Sequence, residues 1–215
     1  MSDNQSPDSV PTFSKKATFR LGARELSLIT KAVVVIFSIP LLFVGYGAYK
    51  NFKSRRDITI AKSNLQRIFQ AFQLSAQDSR DRLPTADHWT ETALGYLSAP
   101  PNTRGGKESY LSGPSDGSDT AYVYNEIASD FSLEPTGKEE DSKIDPSKLV
   151  LLIERAGAKM NDHIKIPPQV DQASEQALYK ELQFYHFSDD EQGATTVILF
   201  ANGRIVERQR RDYKQ

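Results

Sequence analysis

Acidic residues gathered in two turn-like stretches are the first candidates for chemistry in this 215-residue chain. Asp116 and Asp119 lie in SDGSDT, and Asp189 and Asp190, with Glu191, lie in SDDEQG. Such carboxylates are hard oxygen ligands that suit calcium. The twelve-residue order of an EF-hand is absent, so solvated turns are the favoured reading and a calcium site is the alternative. His88, His163 and His186 fall in separate segments without the i, i+4 spacing of a helical metal pair, and no cysteine exists to join them. They read as scattered structural or surface histidines. Lack of cysteine also excludes a disulfide framework, a thiolate nucleophile and a Cys-ligated cluster. No serine stands in a nucleophile-elbow context and no G-x-x-x-x-G-K phosphate loop occurs. The expectation is a non-enzymatic protein that takes no cofactor. A net charge of −1 gives no general attraction to nucleic acid, and aromatics such as Tyr122, Tyr124, Phe184, Tyr185 and Phe187 alternate like core and sheet residues.

The elements that would carry such residues begin with an unbroken apolar run, AVVVIFSIPLLFVGYGAY, from Ala32 to Tyr49. Eighteen helical residues rise about 27 Å, close to the roughly 30 Å hydrocarbon core of a bilayer. Lys31 on one side and Lys50, Lys53, Arg55 and Arg56 on the other can snorkel to the two interfaces. A cleaved secretory signal is disfavoured, because the basic region before the run is too long, the apolar core too extended and no A-x-A site follows. Pro40, Gly45 and Gly47 suit a membrane helix better than a buried soluble one. The expected organisation is a flexible tail over 1–30, a transmembrane helix over 31–50, an amphipathic stem over 51–82 and an α+β domain over 83–215. Membrane lipid is the first expected partner.

In the stem, Ile58, Ala61, Leu65, Ile68, Phe69, Phe72 and Ala76 recur at spacings of three and four, which makes one apolar stripe. Lys62, Asn64, Gln66, Arg67, Gln70 and Gln73 are expected on the wet face. Pro84 marks the end. A short helix follows from about Ala86, with Trp89, Ala93, Tyr96 and Leu97 on one face. Beyond a Pro/Gly/Ser-rich loop over 100–120 the period changes to that of strands at 121–127, 148–154, 180–187 and 194–201. Asn202-Gly203 predicts a two-residue type I′ hairpin in which Phe200 faces Ile205 and Leu199 faces Val206.

Taken in order, these blocks resemble bacterial type IV pilin-like proteins and the pseudopilins of type II secretion. Ala61, Asn64, Leu65, Ile68, Ala71, Asp78, Leu83 and Pro84 match the pattern that follows the membrane helix in that family. Trp89 to Leu97, the Tyr122, Tyr124, Asn125 strand, Pro146 to Glu154 and Phe200 to Val206 (FANGRIV) are similar to its later elements. The resemblance spans about residues 32–206. It implies a pilin-like roll: a long N-terminal helix packed on an antiparallel sheet. It also implies a tail in the cytoplasm, a domain outside the bacterial inner membrane, in the periplasm, and envelope proteins or other pilin-like chains as partners through the helix. Some members of the family bind calcium in a C-terminal loop, which is the context for Asp189 and Asp190. The processing motif departs from the family's: Gly22 is followed by Ala23, Arg24 and Glu25, and Ser27 stands where the family has its acid. The expectation is an uncleaved signal anchor. An anchored binding or sensing domain that keeps the architecture without polymerising is the alternative function.

Overall fold

Spacing of three and four from Ile58 to Ala76 is realised within one helix, α1 (Ala23–Asp78), of 56 residues. The computed structural model describes residues 23–98, 106–112, 120–133, 144–184, 186 and 193–213, and the tail up to Gly22 lies outside them. The chain divides into two units, Met1–Gly45 and Tyr46–Gln215. In the first, Phe37, Leu41, Leu42 and Phe43 are all exposed. The stretch from Val33 onward holds a window long and apolar enough to cross a membrane, and none of that window is buried.

Within the second unit, Ala61, Leu65, Ile68, Ala71, Phe72 and Ala76 are buried on the stem, with Ile58 and Phe69 packed at the margin. Each of the large ones contributes about 1.5–3 kcal/mol by leaving water. Asn64, expected on the wet face, is buried instead. It flanks the stripe, and its amide meets the Tyr122 hydroxyl, so the polar head is satisfied where the sheet covers it. The helix stops after Asp78, where Arg80 and Asp81 turn to positive φ and the Ser79 and Asp81 N–H groups both donate to the Ala76 carbonyl. The second helix, α2 (Trp89–Tyr96), follows a single 3-10 turn, as its sequence pattern predicts.

Five strands form one sheet: β1 (Thr120–Asn125), β2 (Val150–Ala158), β3 (His163–Ile164), β4 (Thr195–Phe200) and β5 (Ile205–Gln209), in the order β3-β1-β2-β4-β5. The sheet is mixed and not purely antiparallel, because β3 pairs with β1 in parallel through Tyr124–His163 and Asn125–Ile164. Leu151 and Leu152 both face the stem side, which marks a bulge in β2 at the point where its register with β4 shifts.

Two further expectations are corrected. Of the run 180–187, residues 180–184 form no strand, and His186 makes only an isolated antiparallel bridge to Thr195. Residues Gln172–Glu181 form a helix, α3, started by a capping box in which Asp171 accepts from the Ser174 N–H at 2.8 Å. That helix places Leu178 against Val123, Ile153, Ile198 and Phe200, so the sheet is covered on its second face as well. The hairpin is also not the two-residue kind. Phe200 N–H donates to Arg204 O, Gly203 N–H donates to Phe200 O, and the pairs are Leu199–Ile205 and Ile198–Val206. Asn202 accepts the Arg204 N–H with its side chain and keeps a negative φ, leaving Gly203 alone at φ +82. This is a three-residue loop with its glycine in the left-handed region.

Candidate functional site

Sequence position alone scatters the three histidines, and the structure treats each differently. His88 ends the 3-10 turn before α2 on the surface. His163 is exposed in β3, with Nδ1 3.1 Å from the Asn161 carbonyl. His186 is buried. Its Nε2 lies 3.1 and 3.0 Å from the two oxygens of Glu154, itself fully buried in β2. A hydrogen bond in this contact runs from Nε2 to the carboxylate when Glu154 is ionised, since a carboxylate only accepts. Glu154 Oε2 also accepts the Val197 N–H at 2.8 Å, and the His186 backbone exchanges two hydrogen bonds with Thr195. The side chain of β2 therefore serves β4 where a backbone carbonyl would in a regular ladder.

Tyr122 lies opposite Glu154 across the β1–β2 ladder. Burial, and after it the Glu154 charge, pushes its phenol well above the ordinary value, with Asn64 opposing. Tyr124 is pushed the same way by burial and by Asp130, and its hydroxyl reaches the carbonyls of Pro84 and Ala128. Its ring stacks on Trp89 at 6.1 Å, and Phe72 of the stem meets both edge-on. Asn125 closes the group: its amide donates to Val150 and Ile166 carbonyls, and its oxygen accepts from the Ile127 and Ile166 N–H groups. These polar groups fasten strands and loops to one another.

An imidazole held by a carboxylate is the orienting half of many proton-transfer sites. Here neither residue lines either of two clefts formed by the described residues. One, of about 520 Å³, runs between Lys148, Pro167, Pro168 and the first turn of α3. Its two acids are engaged at turns: the Ser147 hydroxyl and N–H hold Asp145 below the usual carboxylate range, and the Ser174 N–H does the same for Asp171. The other, of about 380 Å³, is a polar dip beside Glu175 and Tyr213. Among the described residues no group of three His, Asp or Glu could hold a metal. The four calcium candidates, Asp116, Asp119, Asp189 and Asp190, lie outside the described residues, as do Tyr185 and Phe187.

The larger unassigned feature is the outer face of α1. From Thr59 to Gln77 the exposed residues are Thr, Ile, Ser, four Gln, Leu and one Arg. Of its two cations, Arg67 lies 5.2 Å over the Tyr110 ring and the half-buried Lys62 pairs with Glu207 of β5. Solvated helix faces are ordinarily charged, and depletion of charge is the compositional mark of a surface that meets another protein. Compared with known protein families, characterised proteins and solved structures, the chain matches none.

Proposed function

We propose that this chain is a membrane-anchored, pilin-like or pseudopilin-like structural or accessory subunit of a bacterial cell-envelope assembly, working through helix packing and domain contacts instead of catalysis. The observation that carries the reading is α1 itself: an exposed apolar stretch, then a stem whose inner face is docked and whose outer face is long and nearly uncharged. The resemblance of the later blocks to pilin-like proteins supports it, and with it a cytoplasmic tail and a periplasmic domain. The partners are lipid around the span and envelope proteins, or further copies, along the stem.

The chain has no cysteine, so single cysteines introduced at Gln66, Gln70 and Gln73 report on that face alone. In membranes from the native cell, a short bifunctional thiol–amine reagent is expected to give discrete adducts from these positions and none from Met160→Cys, on an exposed turn of the domain. Absence of adducts from all three stem positions would remove the assembly reading. The second reading, an anchored binding or sensing domain that does not polymerise, is favoured by Arg24 and Glu25 beside Gly22, which disrupt the processing motif.

A further inference from the structure

Between Tyr46 and Gln77 the only acid on α1 is Asp57, and it is turned inward, 5% exposed. The surface just before it carries Lys53, Arg55 and Arg56, all exposed, with Lys50 at their margin. Arg56 shares its charge with Asp57 at 3.5 Å, while Lys50 lies 4.6 Å over the Tyr46 ring. Tyr46, Tyr49 and Phe52 occupy the same stretch and are 59%, 64% and 70% exposed. Successive steps of 100° put Tyr49 and Phe52 on the side that also bears Lys53 and Arg56, opposite the buried Ser54, while Asp57 falls at the margin beneath Tyr46.

Rings of this kind settle at the level of lipid headgroups, and cations placed next to them face phosphate oxygens. With Asp57 buried, residues 46–56 expose cations and aromatic rings and no carboxylate of their own. We infer that residues 46–56 form an anionic-phospholipid site, in which Lys53, Arg55 and Arg56, with Lys50, gather headgroup phosphates while Tyr46, Tyr49 and Phe52 seat at the acyl boundary. This rests on the membrane-anchored reading above. It goes further by giving the anchor a lipid preference, and the preference resides in side chains outside the apolar run.

The test uses the full chain in nanodiscs of equimolar phosphatidylglycerol and phosphatidylcholine, released into native mass spectrometry. Phosphatidylglycerol adducts should exceed phosphatidylcholine adducts by about threefold or more at low salt, with the excess shrinking as salt is raised. The variant Lys53→Gln/Arg55→Gln/Arg56→Gln should bring the ratio close to one. The charge-matched control Lys159→Gln/Lys180→Gln/Arg211→Gln, on the domain surface, should leave it unchanged. Equal adducts in the parent chain, or a ratio that the triple variant does not alter, overturns the inference. Extraction of the chain by alkaline carbonate from vesicles of either lipid is a separate outcome, and it would instead remove the membrane anchor on which the site depends.

Discussion

Gly203, at the tip of the last hairpin, rests directly on the Phe69 ring of the stem: a Cβ added there would stand 2.5 Å from Cε1. Its φ of +82 adds a second reason for glycine, since other residues pay about 1–2 kcal/mol in the left-handed region. Gly203→Ala should therefore destabilise the domain by about 1–3 kcal/mol, and the steric part should shrink in a Phe69→Leu background. Chemical denaturation followed through Trp89, the single tryptophan, measures both. Equal cost in the two backgrounds would locate the whole effect in the backbone.

Phe72 is fully buried against Trp89 and Tyr124, whereas Gln66 faces out. Phe72→Ala should cost about 3–5 kcal/mol and Gln66→Ala no more than about 0.5. Similar shifts in denaturation midpoint for the two would contradict the packing of the stem.

Removing Glu154 leaves an imidazole and the Val197 N–H without their acceptor in a dry interior. Glu154→Ala should cost about 3–5 kcal/mol. In a double-mutant cycle with His186→Ala the two changes should couple by about 1 kcal/mol or more, since each single variant already strands the other partner. Additive losses would show that the pair acts as two unrelated contacts.

Tyr122 and Tyr124 give stability a defined pH dependence. Their folded phenols are raised well above the ordinary value of about 10, so near and above pH 10 the unfolded chain releases protons that the folded one retains. Their contribution is fully present below that pH and is lost as pH rises toward the folded values, with a slope approaching about 1.4 kcal/mol per pH unit for each phenol. Denaturation midpoints between pH 8 and 11 should fall in the parent chain, and fall less steeply in Tyr122→Phe. An identical slope in that variant would assign the alkaline loss to other groups.

Arg24 and Glu25 put two charges where a processed helix would enter the bilayer, a cost of about 2.5–3.5 kcal/mol each at the helix centre and less at the boundary. Intact-mass analysis of protein from native membranes should find residues 1–22 retained. A mature N-terminus at Ala23, above all a methylated one, would promote the polymerising pilin reading.

Repetition made the stem and most of the sheet legible. The stripe from Ala61 to Ala76 repeats its signal over about four turns, and LVLLIE and TTVILF are apolar enough to require burial on both faces. The third helix was missed because only Ser174 and Leu178 of its ten residues are buried, so its period is faint beside the aromatic run that follows it. The Asp171 to Ser174 box is the sequence signal that could have found it. Strand β3 pairs through two residues, too few to leave a pattern. For His186 the clue lay elsewhere: a glutamate directly after the apolar run LVLLI, in the middle of β2, demands a buried partner, and Glu154 is such a residue.

The contact between Phe69 and Gly203 also fixes an order of events. The stem leaves the ribosome more than a hundred residues ahead of β4 and β5, which supply Val197, Leu199 and Ile205 to complete its cover. At roughly 5–20 residues per second, the apolar stripe waits on the order of 10 s for its cover. The nascent chain is most prone to aggregation during that interval, and a truncation that removes only the final hairpin would prolong it indefinitely.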